Sequence, residues 1–354
     1  MGDTKHPDKS TLREHDSPEF VPGADLRSCD LRGVRLAGHD LTEADFEAAM
    51  LAGADLTGAK LTASNLQRAN LCDAVLTGAE LAGSSLRGVF AHKIKCDNAK
   101  LSECDFSGSD LRNASFRGSV LTSCDFAEAN LAGCDLTSAN LEGTNLQKAN
   151  LARAKLIGAN LTAANLSEAN LAEADLTGAI LSHADHSKVT APGAVFRKAV
   201  MGGTNARLAD FSDCDFSEAK APAANFERAA LTRVKMEKFS AEETVFEFAD
   251  LRGARMLDAT FTKANFVGAS LQNARAASCN FTEADFYWAE LETFETMRCD
   301  TQGARFPEKV EVVYGPKGVK PPEVKPVPLY RTAATTAERE KLIEAAREVV
   351  SLRP

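Results

Sequence analysis

Nine cysteines and six histidines are the side chains of this sequence that most readily bind metals or act as nucleophiles. No cysteine stands in a Cys-x-x-Cys pair, so the spacing typical of a zinc site is missing. His39 and His186 lie far apart in the chain, and we expect no metal site. Most of the thiols are therefore predicted to be reduced, small apolar side chains.

Two pairs of cysteines are separated by 20 residues, Cys104 with Cys124 and Cys279 with Cys299. Either pair would suit a disulfide in distance, but parallel side chains and a reducing compartment favour free thiols. Cys72 occupies a position that we expect to face outward. It is the thiol predicted to be accessible to a reagent.

Catalytic motifs are absent from the sequence. It contains no phosphate-binding loop, no dinucleotide-binding glycine motif, no His-Glu-x-x-His and no nucleophile elbow. We therefore expect a protein that is not an enzyme, without catalytic residues or a cofactor.

Charge and hydropathy limit the kinds of molecule that this protein is expected to bind. Lys and Arg number 41 and Asp and Glu number 50, so the net charge of −9 disfavours direct binding to nucleic acid. No apolar run is long enough for a membrane span, and residues 1–23 form a polar arm without a signal-peptide core. The expectation is a cytoplasmic protein that does not bind membranes.

A large apolar residue, here called the centre, recurs at every fifth position from Leu26 to Phe306. This period fits no single face of a helix. In an extended segment the centre and the residue two before it point to the same side, and that second position is small throughout, as in Ala54 and Ala164. Each unit therefore predicts a short edge and a corner that must stack on others to bury its apolar side.

Phenylalanine centres indicate how many units form a coil. Pairs of these centres are most often 20 residues apart, and Phe226, Phe246, Phe266, Phe286 and Phe306 form an unbroken series. Four units per coil place such residues in one column along the axis.

The Ala-Asp/Asn-Leu-x-Gly unit of residues 24–306, as in "ANLAGCDLTSANL", resembles the pentapeptide-repeat family. The resemblance implies an all-β, right-handed quadrilateral β-helix, here of about 14 coils. It also suggests two kinds of function, a bacterial protein-interaction scaffold linked to secretion systems or a DNA mimic that binds gyrase.

Some units depart from the pattern. In four units the centre is small and the inward residue two positions before it is large. These exchanges are predicted to conserve the volume of the core, and they are Val89 with Ala91, Val189 with Ala191, Phe239 with Ala241 and Phe294 with Thr296. His186 is interpreted as a hydrogen-bonded core histidine. Pro192 and Gly193 lie nearby and predict a local bulge or kink.

The stretch "NFTEADFYWAEL" contains the only tryptophan of the chain. Residues just before a centre, and one and two after it, are expected to face outward. This rule predicts an exposed apolar surface on three successive coils, and exposed Tyr and Trp are typical of protein interfaces. We call it the aromatic surface; it comprises Val245, Phe248, Val267, Tyr287 and Trp288. A weaker cluster is predicted at Ile180, Val195 and Val200.

The C-terminal composition differs from that of the repeats. Residues 307–335 are rich in Pro, Lys and Val and predict a linker, whose segment "VEVVY" would cover the last coil. Residues 336–354 predict a short amphipathic helix that folds back, forms a homodimer or binds another protein. Its apolar stripe is Leu342, Ile343, Ala346, Val349 and Val350.

Two functions follow from these observations. The first is a non-catalytic scaffold or adaptor for a protein partner. The alternative is a DNA mimic that binds a type II topoisomerase and protects it from quinolones, since the rod is acidic, with 38 acidic and 29 basic side chains in residues 24–306. The mixed charges of its surface favour the first.

Overall fold

The computed structural model describes residues 20–307 and 313–314, in which a five-residue pattern repeats without interruption. Each unit contains a residue that bridges to neighbouring coils, the buried centre, two turn residues and a small buried residue. Parallel bridges join residues 20 positions apart, from Asp25 with Asp45 to Asp285 with Arg305. Four units therefore complete one coil and give the rod four faces.

The turns fix the length of the unit. In most units the N–H three residues after the centre donates to the carbonyl of the centre, as from Cys29 to Leu26 at 3.2 Å. The second turn residue has a positive φ, 56° at Ser28, which is the geometry of a type II turn. Of these residues 38 are not glycine, so the hydrogen bonds between coils must hold most turns in a conformation that side chains disfavour.

Five short strands form the one regular sheet within the described residues. They lie on the same face of successive coils and pair in parallel in sequence order, and residues 20–307 and 313–314 contain no α-helix. The register steps by 20 residues from β1 to β4 and by 18 from Glu295 of β4 to Val313 of β5. The strands are β1 (Lys235–Glu237), β2 (Arg255–Leu257), β3 (Arg275–Ala277), β4 (Glu295–Met297) and β5 (Val313–Tyr314).

The interior is a set of side-chain columns. The predicted phenylalanine column is confirmed: ring centroids of Phe246 and Phe266 are 4.9 Å apart, those of Phe266 and Phe286 are 4.8 Å apart, and the planes are parallel within 7°. Phe226 and Phe306 continue the stack at 5.4 and 5.0 Å. Rings one coil apart thus sit at the spacing of the backbone layers.

Most inward hydroxyls and thiols are satisfied by one recurring hydrogen bond. Ser64 occupies the small inward position, and its Oγ donates to the carbonyl of Leu41, 23 residues earlier, at 3.1 Å. The Cys104 thiol donates in the same way to Leu81 and the Cys124 thiol to Leu101. A small polar side chain therefore enters this core without an unpaired group.

The cysteines of the described residues are free thiols. Cys72 is half-buried, so the prediction that it faces outward holds only in part. Cys299 is also half-buried, and a hydrogen bond from Cys279 lowers its pKa to about 7. The same hydrogen bond, together with burial, raises the pKa of Cys279. The sequence did not indicate this difference within the pair.

The expected volume exchanges are present. Val89, Val189, Phe239 and Phe294 are buried, and Thr296 is the one half-buried partner. The predicted bulge at Pro192 is wrong, because the bridges on either side, Thr190 with Asp210 and Val195 with Asp215, are regular. Pro192 occupies the first central position of a type II turn, where proline is favoured, and Gly193 takes the positive φ.

His186 is buried as expected, but neither ring nitrogen has a hydrogen-bond partner among the described residues. The prediction of a hydrogen-bonded histidine is therefore wrong. Burial lowers its pKa to about 4, against the opposing effects of the Asp185 charge and of the Ala184 backbone, whose contact with the ring lies outside hydrogen-bond geometry. The ring is accommodated next to the small centre Ala206, one coil further along.

This histidine predicts a specific dependence of stability on pH. Its pKa is lower in the folded than in the unfolded chain, so as the pH falls below about 6.5 only the unfolded chain binds the proton. The folded state should lose about 2 kcal/mol between roughly pH 7.5 and pH 5. His186→Leu should remove most of this loss in denaturant unfolding, whereas His183→Ala on the surface should keep it. An unchanged pH profile for His186→Leu would contradict the burial of a neutral ring.

Candidate protein-interaction surface

The aromatic surface lies on the turns of three successive coils. Phe248, Gly268 and Trp288 are second turn residues 20 positions apart, so their backbones stack at one corner. Trp288 is 42% exposed, while the four other predicted residues are half-buried. The structure therefore brings the predicted residues together, but of these side chains only Trp288 is exposed.

Tyr287 and Trp288 form a stacked pair. Their ring centroids are 4.7 Å apart with 27° between the planes. The guanidinium of Arg305 lies 4.1 Å above the Tyr287 ring and also contacts Asp285 at 3.3 Å. The tyrosine is thus enclosed between a cation and the indole, which fixes Trp288 in a pre-organised position.

Phe248 is packed rather than exposed. Its ring covers the turn of the next coil, where ring carbons lie 2.5 Å from the position that a Cβ at residue 268 would occupy. Gly268 is therefore required there for contact as well as for its φ of +66°. On the other side, the guanidinium of Arg228 lies 5.8 Å from the ring centre.

A polar depression of about 270 Å³ adjoins Phe248 on the next face. Arg252 is paired with Asp250 at 2.6 Å, and Gln272 donates to Glu290 at 3.4 Å. The hydroxyl of Ser270 is buried and has no partner among the described residues. The depression is shallow and open, so it extends the aromatic surface as a polar rim rather than enclosing a ligand.

The two other predicted clusters differ from the aromatic surface in what the structure describes of them. Ile180 and Val200 are exposed and bridge each other on adjacent coils, whereas Val195 is half-buried on a neighbouring face. The tail stripe Leu342, Ile343, Ala346, Val349 and Val350 lies outside the described residues.

Sequence reasoning missed Phe90, which is 58% exposed. It stands just before the centre Ala91, a position that the outward rule already predicts to be exposed. Leu208, Leu257 and Met297 are exposed at the other outward positions, one or two residues after a centre.

No group of metal-binding side chains is found among the described residues. The described residues contain no helix, and therefore none that is long and apolar enough to cross a membrane.

Four five-residue units per coil, joined by parallel bridges, define a β-solenoid. The family model of pentapeptide repeats matches the chain from residue 24 to residue 293, and this chain belongs to the pentapeptide-repeat family. Its members form right-handed quadrilateral β-helices and are generally non-catalytic structural or interaction proteins. The matched segments are 24–62, 54–90, 99–137, 124–162, 134–171, 154–190, 174–213, 209–238, 242–275 and 261–293.

Several solved structures are similar. A pentapeptide repeat protein from the thylakoid lumen of Arabidopsis thaliana is 31% identical over 28% of this chain and 68% of its own, with a TM-score of 0.27. HetL of Nostoc sp. strain PCC 7120, involved in heterocyst differentiation regulation, is 28% identical over 69% of this chain and 90% of its own, with a TM-score of 0.19.

QnrB1, a plasmid-mediated fluoroquinolone resistance protein, is 21% identical over 66% of this chain and 92% of its own, with a TM-score of 0.19. No curated protein matches the chain. The family assignment therefore rests on the repeat model.

The packing of Phe248 on Gly268 generates a prediction. Gly268→Ala should destabilise the protein by roughly 1 kcal/mol more than Gly58→Ala, because both place a methyl group at positive φ but only the first displaces a ring. Denaturant unfolding of the two variants measures the difference. In the double variant Phe248→Ala/Gly268→Ala the excess cost should vanish. Equal costs at the two glycines would show that Phe248 does not pack there.

Proposed function

We propose that this protein is a non-catalytic scaffold or adaptor that binds a partner protein through the aromatic surface. The observation that carries the proposal is the fixed, 42% exposed indole of Trp288, supported from below by Tyr287 and Arg305. A rigid aromatic side chain loses little conformational freedom on binding, and such residues dominate interface energies. The half-buried Val267 beside it and the polar depression supply a rim.

The rod that carries this surface has about 14 coils in our proposal, the repeat region being residues 24–306. Residues 1–23, 307–335 and 336–354 are proposed as arm, linker and helical tail. Self-association through the tail is also proposed, and native mass spectrometry of the full chain against Leu342→Asp/Val349→Asp tests it. A monomeric mass for the full chain as well as for the variant would contradict self-association through the tail.

A cytoplasmic location is part of the proposal, since free thiols such as those of the described residues stay reduced in that compartment. A role beside a bacterial secretion system is a narrower proposal that stands on the family resemblance. Fractionation of the native host tests the location, and a protein found outside the cytoplasm would contradict it.

A DNA mimic is the second candidate function. A column of Asp and Asn runs along one face, with Asp105 and Asp125 bridged on adjacent coils. Many carboxylates are nevertheless paired locally, as Asp110 is with Arg112 at 2.6 Å and Asp213 with Arg233 at 2.5 Å. Such pairing reduces the likeness of the rod to a row of phosphates and favours the scaffold.

The scaffold proposal predicts no effect on DNA supercoiling by gyrase and no protection from a quinolone; inhibition or protection would favour the mimic.

The scaffold proposal predicts a partner that depends on one side chain. Crosslinking in a lysate of the native host, followed by mass spectrometry, should identify a protein whose recovery falls at least tenfold with Trp288→Ala. Phe90→Ala is the matched control, because it removes an aromatic ring that is 58% exposed on another face. The recovered protein, once purified, should bind with an affinity that also falls tenfold for Trp288→Ala. Recovery that is equally sensitive to both variants, or to neither, would overturn the proposal.

A further inference from the structure

Strands β1 to β3 carry three basic side chains in one outward column. Lys235, Arg255 and Arg275 are register partners on successive coils, and all three are exposed. We call them the basic column. No other outward column of the described residues stacks three side chains of one charge. The feature stands out because residues 24–306 carry 38 acidic and 29 basic side chains.

The basic column is only partly neutralised within the described residues. Arg275 contacts Glu295 of β4 at 3.0 Å, and both side chains remain more than half exposed. Lys235 and Arg255 form no ion pair there. Asp215, the register partner of Lys235 on the preceding coil, is itself paired with Arg197 at 2.7 Å. The remaining charges on or beside this sheet face are Glu237, Lys238, Asp258 and Arg298, which cancel.

An apolar column runs beside the basic one. The central residue of each strand points inward, so the third residue shares the outer surface with the first. Leu257 is 43% exposed and Met297 is 50% exposed, two coils apart, with the half-buried Ala277 between them. These three residues form the apolar column, and together the two columns make a flat amphipathic strip.

The arrangement does not stabilise the fold. Like charges opposite each other on adjacent strands cost roughly 0.2–1 kcal/mol per pair. Elsewhere in the same column the charges alternate, as in Asp135, Lys155 and Asp175. Two successive unfavourable pairs at β1 to β3 therefore indicate a ligand that supplies the opposite charge.

The spacing of the two columns selects the ligand. Coils repeat at about 4.8 Å along the axis. Side chains one turn apart on an α-helix repeat at about 5.4 Å, so three carboxylates on one helix face meet three coils with an accumulated mismatch of only about 1 Å. Long Lys and Arg side chains absorb that mismatch. Apolar residues two helix turns apart match the distance between Leu257 and Met297.

We propose that the strip formed by the basic and apolar columns binds an acidic amphipathic α-helix of a partner protein, laid along the rod axis. Carboxylates at i, i+4 and i+7 pair with Lys235, Arg255 and Arg275. Neighbouring apolar residues cover Leu257 and Met297. A nucleic acid would not use the apolar column, which the apolar face of an amphipathic helix covers. This strip is separate from the aromatic surface, so the proposal stands independently of the function proposed above.

A designed helical peptide tests the proposal with the full-length protein. The labelled peptide carries Glu at i, i+4 and i+7 and Leu at two adjacent positions two turns apart. Fluorescence anisotropy at low salt should show saturable binding that falls at least tenfold for Arg255→Glu. Lys155→Glu is the matched control, because Lys155 is exposed in the same column between two aspartates, and it should leave binding unchanged within twofold.

Further readouts separate binding from folding and from other ligands. Arg255→Glu creates opposite-charge pairs, so its melting temperature should equal or exceed that of the parent. Leu257→Ser should weaken the peptide several-fold, and a Gln-for-Glu peptide should not bind. Equal losses for Arg255→Glu and Lys155→Glu would overturn the proposal. So would an oligonucleotide, an anionic vesicle or a second copy of the chain that depends on Arg255 while the peptide does not bind.

Discussion

The parallel hydrogen-bond ladder between residues 20 positions apart is the constraint on which the structure depends. Each centre donates its N–H to the next coil, as Leu26 does to Asp45 at 2.7 Å, and each bridge residue donates back, as Asp45 does to Ala24 at 2.9 Å. An added or deleted residue would shift all later side chains between the core and the surface. The ladder thereby holds non-glycine residues at positive φ, fixes the five-residue phase and keeps one large and one small residue inside each unit.

The same constraint organises the surface. Outward side chains repeat in columns at the coil spacing. A binding surface on this rod therefore consists of residues 20 positions apart rather than of a cleft. Trp288 stands above a glycine that leaves room for Phe248, and Arg255 stands between Lys235 and Arg275. Because neighbouring coils hold these side chains in place, binding requires little further ordering.

The sequence predicted the core well because the period is strict and position determines direction. The phenylalanine stack, the buried pairs such as Val89 with Ala91 and the cluster around Trp288 all followed from the phase. The five-residue phase did not predict the contacts between individual side chains. The packing of Phe248 onto Gly268 depends on the rotamer of the ring, and the lack of a partner for the His186 ring depends on the side chains packed around it. Pro192 does not interrupt the ladder, because the type II turn of the unit accepts proline at its first central position.

The central claim is that residue position within the five-residue unit decides burial, and a pair of neighbouring substitutions tests it most directly. Leu151 is a fully buried centre in the middle of the rod, and Ala152 is the half-buried turn residue after it. Denaturant unfolding of Leu151→Asp should show a loss of roughly 3 kcal/mol or more, because a charge enters the core without a partner. Ala152→Asp should change stability by less than about 1 kcal/mol. Equal stability of the two variants, or a larger loss for Ala152→Asp, would contradict the account.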